Sequence, residues 1–74
     1  MTPEQCKMAR AGLGLGVREL AALAKVTPET VVRLEKGENL RVRTAAAIQS
    51  ALEEAGAIFI DANGEGPGVR LRKA

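Results

Sequence analysis

GVRELAALAKVTPETVVRLEKG, residues 16 to 37, is the stretch on which the reading of this chain turns. In its first half Val17, Leu20, Ala21 and Ala24 recur at the i, i+3, i+4, i+7 spacing of one helical face, and Leu23 widens the stripe. The second half has a well-marked start. Thr27 can cap with its hydroxyl, Pro28 fits the first helical position where no amide hydrogen is needed, and Glu29 suits the positive helix end. Gly37 supplies the stop. Only Lys25 and Val26 lie between the two helices, too few to let them run antiparallel. Val26 is therefore expected in the angle, held by Leu20, Val31 and Leu34. A helix pair fixed in that way often presents its second helix to the DNA major groove.

Seventy-four residues make one small unit with a thin core, which a second subunit would help to complete. There is one cysteine, Cys6, and no histidine, so no disulfide or metal staple is expected, and a lone thiol fits a reducing compartment. Cys6 is read as a small apolar residue of the first helix. No run of about 18 apolar residues and no signal peptide is seen, so the chain reads as cytoplasmic, with no membrane partner. The net charge is only +2, but it is unevenly spread. Residues 16–43 hold six bases against four acids, whereas residues 44–68 hold no base and four acids. The positive end coincides with the helix pair, as a nucleic-acid footprint requires.

Upstream, Thr2, Pro3 and Gln5 spell a capping box opening a helix from Pro3 to Ala11, with Met8, Cys6 and more weakly Ala11 facing inward. GLGLG, residues 12–16, lacks the G-x-G-x-x-G spacing and follows a helix instead of a strand, so it reads as a connector and not a phosphate loop. Leu13 and Leu15 would plug the core from it, and Gly16 would serve as a modest N-cap. Downstream, Leu40 is a core anchor with Arg41 and Arg43 projecting from a loop. A fourth helix spans Thr44 to Ala55, with Ala45, Ile48, Leu52 and Ala55 on one face and Gly56 at its end.

After residue 56 the pattern changes. AIFI (57–60) and VRLRK (69–73) read as strands around the turn-rich DANGEGPG, with Asn63-Gly64 and Pro67-Gly68 as turn signals. The expected hairpin carries Ile58, Ile60, Val69 and Leu71 on its inner face and Arg70 and Arg72 outward. A lone two-stranded hairpin is marginal in water. Either it joins its counterpart in a two-fold homodimer, through Ile58, Phe59, Ile60, Val69 and Leu71, or it folds back on its own helices. The division expected is a binding domain over 1–56 and a hairpin tail over 57–74.

Taken together, L-G-L at 13–15, E-L-A at 19–21, V-T at 26–27, T-V at 30–31, L-E-x-G at 34–37 and A-L at 51–52 give residues 3–56 a spacing that resembles the XRE-type (phage repressor and Cro-like) helix-turn-helix regulators. The run F-I-D-x-N-G-x-G-P-G-V-R-L-R also looks like a tail found on short bacterial members of that family. The resemblance implies a mainly α fold, a lambda-repressor-like bundle of four helices with a C-terminal β-hairpin. It makes 28–36 the recognition helix. Pro28, Glu29, Thr30, Val32 and Arg33 become candidates for base edges or nearby phosphates, with Arg33 suited to guanine and Glu29 to a cytosine amino group. Thr27 would divide its hydroxyl between capping and a backbone contact. Arg18, with the first amides of its helix, would hold a phosphate; Lys36, Asn39, Arg41 and Arg43 would meet the flanking backbone. The resemblance also implies a structural ion pair between Arg10 and Glu35.

Four positions depart from the family pattern. Gly16 and Val17 stand where a serine cap and a glutamine are usual. Lys25 stands where glycine commonly provides a positive backbone angle, which a lysine adopts at a cost near 1 kcal/mol. Val17 and Val32 make the presumed DNA face more apolar. The function expected is a sequence-specific DNA-binding regulator acting as a homodimer on double-stranded DNA, with no cofactor. The alternative is an interaction module, an antitoxin or adaptor, whose hairpin binds another protein. With no histidine, no metal-ligand cluster and little chain to enclose a substrate, an enzyme is not expected.

Overall fold

The computed structural model describes residues 1–62 and 64–72. Four helices, α1 (Pro3–Gly12), α2 (Val17–Ala24), α3 (Pro28–Glu35) and α4 (Val42–Ala55), are followed by an antiparallel hairpin of β1 (Ala57–Ile60) and β2 (Gly68–Leu71). The fold is thus mainly helical. α2 packs on α3 and α4, α1 on α3, and the hairpin closes the body by laying β1 against α4 and β2 against α1. Leu20, Val31, Ile48, Leu52 and Cys6 are the largest fully buried side chains. Ala57 belongs to the same apolar cluster, and Phe59 and Val69 pack against it, so the tail shares the core of the helices.

The helix ends follow local chemistry. Thr2 and Gln5 close the capping box on α1: Gln5 N–H donates to Thr2 Oγ1 at 3.1 Å and Thr2 N–H to Gln5 Oε1 at 2.8 Å. Gly16 caps α2 without a side chain, and Glu19 Oε1 accepts from Gly16 N–H at 2.9 Å. Three helices end in the same double hydrogen bond of a Schellman motif. After α1, Leu15 N–H donates to Arg10 O and Gly14 N–H to Ala11 O; after α3, Glu38 N–H donates to Arg33 O and Gly37 N–H to Leu34 O. After α2 the donors are Val26 to Ala21 O and Lys25 to Ala22 O. Each motif needs one left-handed residue. Gly14 and Gly37 supply it at φ 71° and 86°, but in the bend before α3 it is Lys25, at φ 59° and ψ 42°. Val26 is half-buried against the core, as the two-residue bend requires.

Several inward-facing expectations change. Met8 is 42% exposed and Ala11 is exposed, because α1 turns Gln5, Cys6 and Ala9 to the interior, where small side chains let β2 and α3 approach closely. Leu23 is 55% exposed: Leu20, Ala21 and Ala24 fill the narrow contact with α3 and α4, and Leu23 lies outside it. On α4, Ala51 is buried and Ala55 exposed, since the last turn overhangs as the chain leaves at Gly56, φ 123°. That helix begins at Val42, so Arg43 lies in its first turn instead of a loop.

The hairpin face is also corrected. The register pairs Phe59 with Val69 and Ala57 with Leu71, whereas Ile58 faces Arg70 and Ile60 faces Gly68. Residues directly opposite share a face, so Ile58 and Ile60 cannot join Val69 and Leu71 on one side. The interior side is Ala57, Phe59 and Val69, led by the only aromatic residue of the chain. Ile58 is 40% exposed on the other side, and Leu71, 41% exposed, lies over Gly12 of α1. Arg70 is outward as expected, but Arg72 bends back, its guanidinium donating to Glu53 O and Glu54 O at the end of α4. A cation there satisfies free carbonyls and opposes the negative helix end. Of the expected turn and second strand, Asn63 and Lys73 lie outside the described residues. Among the described residues no helix is long and apolar enough to cross a membrane.

Gln5 joins the first helix to the hairpin. Its side chain, 3% exposed, uses Oε1 for the capping box, while Nε2 donates to Ile60 O at 2.9 Å and Gly68 O at 3.0 Å, the two sides of one cross-strand pair. Both N–H donors of the amide and its oxygen are therefore engaged.

Candidate functional site

The site is built on the outer side of α3. The 3.6-residue period turns Val31 and Leu34 into the core and leaves Pro28, Glu29, Arg33 and Lys36 exposed, with Thr30 and Val32 half-buried on the two flanks. Thr27 caps the helix through a 3.3 Å hydrogen bond from Thr30 N–H, and its hydroxyl also shares a 2.8 Å hydrogen bond with that of Thr30. Both hydroxyls are thus engaged within the protein. The hairpin lies against α1 and α4, and the outward side chains of α3 remain open.

Two depressions border this helix. One, of about 310 Å³, is lined by Thr30 and Arg33 of α3, Asn39, Leu40 and Arg41 of the connection, and Thr44 of α4. The other, of about 400 Å³, is lined by Val32, Glu35, Lys36 and Gly37 together with Pro3, Glu4 and Lys7 of α1. Of the residues expected to bind, Thr30, Arg33, Asn39 and Arg41 are brought together in the first, Val32 and Lys36 in the second. Arg18, in the first turn of α2, and Pro28, Glu29 and Arg43 are exposed but line neither.

The electrostatics of the first depression are unbalanced. Arg41 is the N-cap residue of α4, no side chain caps that end, and its first turn contains Arg43 and no acid. Cations at the positive end of a helix are opposed by its dipole, by about 0.3–1 kcal/mol each, and an arriving anion relieves the conflict. Arg33 is partly neutralised: its Nε donates to Glu38 Oε1 at 3.1 Å in a half-exposed pair. Such pairs are worth less than about 1 kcal/mol and are easily exchanged for another anion.

Behind the site, the expected ion pair is present. Arg10 Nε meets Glu35 Oε2 at 2.7 Å and Nη2 meets Oε1 at 3.0 Å, a two-pronged contact, while Nη1 donates to Leu15 O at 3.3 Å. The side chains are 24% and 10% exposed. The hydrogen bond to Glu35 raises the Arg10 guanidinium further above its ordinary range, so it stays charged throughout. Cys6 donates its thiol to Glu35 Oε2 at 3.5 Å. Burial first, then the nearby Glu35 charge and this hydrogen bond, push the thiol up to about 12, against the opposing effect of Arg10. Cys6 is therefore an inert core thiol at neutral pH.

Lys7, Glu4, Thr44 and Glu38 are site-lining or site-pairing residues that sequence reasoning missed. Glu38 had a usable signal. A Schellman motif brings the third-last helical residue and the second residue beyond the cap together, and here these are Arg33 and Glu38. Lys7 had none, since its relation to α3 depends on how α1 crosses it. No protein-family model and no curated protein matches the chain.

Proposed function

We propose that this chain is a sequence-specific DNA-binding regulator of the lambda-repressor-like helix-turn-helix type, within the XRE-type family, with α3 as its recognition helix. The observation that carries the reading is the α2–α3 pair itself. A left-handed Lys25 closes a two-residue bend, Val26 packs in the angle, and the helix beyond presents Pro28, Glu29, Arg33 and Lys36 to solvent with basic side chains on both flanks. Glu29 and Arg33 would read base edges, and Arg41, Arg43, Asn39 and Arg18 would hold phosphates. Regulation would follow from occupancy, with no chemistry performed. A homodimer on an inverted repeat, half-sites about one helical turn apart, completes the proposal. Ile58 and Ile60 are its candidate contacts, since Phe59 and Val69 pack against the core of their own subunit and Leu71 shares their side of the hairpin.

The test is fluorescence anisotropy with a labelled random-sequence duplex at low salt, then over a salt series. Binding should weaken with a slope of about −0.9 per phosphate neutralised, and Arg41→Ala should reduce that slope. A folded protein that binds no duplex at low salt would sink the reading. A second reading, capture of another protein by the tail, is favoured by the exposed Ile58 and Leu71. Sedimentation separates the two: a dimer supports the DNA-binding symmetry, and a stable monomer at micromolar concentration favours the second reading.

A further inference from the structure

The two depressions lie on opposite flanks of one exposed helix, and both carry unspent positive charge. On the α4 side the cations are Arg41 and, partly neutralised by Glu38, Arg33. On the α1 side they are Lys36, at the end of α3, and Lys7, from the second turn of α1. Among the described residues neither lysine has a carboxylate within 4.0 Å or a side-chain hydrogen bond. Two acids line the same depression, but they differ in kind. Both oxygens of Glu35 are held by Arg10, which leaves Glu4 as the only carboxylate there without a cation of its own. The lining combines the half-buried, apolar Val32 with the exposed side chains of Lys7 and Lys36.

We infer that this α1 side is a second phosphate-binding flank, where Lys7 and Lys36 hold one backbone strand of a DNA duplex while Arg41 holds the other. The inference rests on the DNA-binding reading above and deepens it by recruiting α1 to the interface. A helix with its side chains is roughly 10–12 Å across and the major groove roughly 12 Å wide. A helix lying in the groove therefore has a phosphate strand beside each flank, and each flank needs cations. α3 alone offers only Lys36 on the Val32 side; Lys7 supplies the other charge from a neighbouring element. Glu4 acts in the opposite direction, as a repulsive group that limits affinity for any duplex.

The experiment measures the affinity of the full chain for a labelled random-sequence duplex from about 50 to 200 mM salt, with far-UV CD melts of each variant. Lys7→Ala should weaken binding several-fold at the low-salt end and reduce the salt slope by about 0.9. Lys7→Gln, which keeps the side-chain length, should do the same. Glu4→Gln should tighten binding about two- to threefold, by removing one like-charged neighbour of the phosphate. Arg70→Ala, an equal change of net charge on the outer hairpin, should leave the slope unchanged. If Arg41→Ala lowers the slope while Lys7→Ala, Lys7→Gln and wild type coincide, the second flank is refuted and the DNA-binding reading stands. An equal loss from Arg70→Ala and Lys7→Ala also refutes it, by showing a net-charge effect only. If the folded wild type binds no duplex, the reading and this inference fall together.

Discussion

Replacing Gln5 by alanine should cost this protein about 3 kcal/mol, through a side chain that touches neither base-reading nor phosphate-binding residues. Three hydrogen bonds disappear: the one from Thr2 N–H at 2.8 Å and the two donated to Ile60 O and Gly68 O at 2.9 and 3.0 Å. Each is worth about 1 kcal/mol net, and buried groups left unpaired add to the loss. A chain of this length is stable by roughly 4–11 kcal/mol, so the change removes a large share. At about 4–8 °C per kcal/mol the midpoint should fall by about 12–24 °C. With no Trp or Tyr in the chain, urea titration followed by far-UV CD is the suitable assay. Thr2→Ala isolates the capping contribution, about 1 kcal/mol, because it removes the hydroxyl that accepts from Gln5 N–H and leaves the hairpin bonds intact. The difference between the variants, about 2 kcal/mol, is the tie to the hairpin. Gln5→Glu sharpens the test. Its carboxylate would face two carbonyl oxygens with no proton to donate, so the variant should be less stable relative to wild type at pH 7 than at pH 4, where the protonated acid recovers one donor. A loss below about 1 kcal/mol for Gln5→Ala, or a Gln5→Glu deficit equal at both pH values, would refute the reasoning.

Three further outcomes are expected. Lys25→Gly should stabilise the fold by up to about 1 kcal/mol, because the residue sits at φ 59° where a Cβ is penalised; an unchanged or lowered melting temperature would show that the bend carries no strain. Arg10→Met should cost about 2–3 kcal/mol, below the 3–5 kcal/mol typical of a fully buried pair because Arg10 is 24% exposed. In the double variant with Glu35→Gln the losses should be clearly less than additive, and simple additivity in a urea double-mutant cycle would exclude coupling. The thiol of Cys6 is raised from 9.0 to about 12, so above pH 9 the unfolded chain releases a proton that the folded one retains. Its contribution is complete below pH 9 and is lost as pH climbs from 9 towards 12. Cys6→Ala should flatten that decline, and identical pH profiles for both proteins would contradict the assignment.

What could be read from residues alone was what neighbours in sequence decide. Thr2-Pro3 and Thr27-Pro28 start helices through their own hydroxyls and fixed φ angles, Gly37 and Gly56 stop them through positive φ, and the count of residues in the bend places Val26 between the helices; the left-handed angle at Lys25 follows from the resemblance. The Arg10–Glu35 pair came from the resemblance and is present, but no spacing rule links positions 25 residues apart. Distance in sequence marks where reading failed. The stripe logic put Met8 inward and added Leu23 to Leu20, Ala21 and Ala24, whereas close packing chose Ala9 on the first helix and left Leu23 outside on the second. The hairpin face depended on a register set across the 61–67 connection, which an alternating pattern on each strand does not determine. Gln5 was recognised as a capping residue, but its second role involves carbonyls 55 and 63 residues away. Lys7 became visible only once α1 and α3 shared a depression.

The clamps on α1 have a kinetic consequence. Its first turn grips the tail through Gln5, and its last turn grips α3 through Arg10. Fraying at the amino end should therefore not remain local, as it does in most proteins. Hydrogen exchange at the first amides of α1 and at the amides of β2 should report one shared opening event, and the slowest-exchanging hairpin positions should speed up together when only residue 5 is changed.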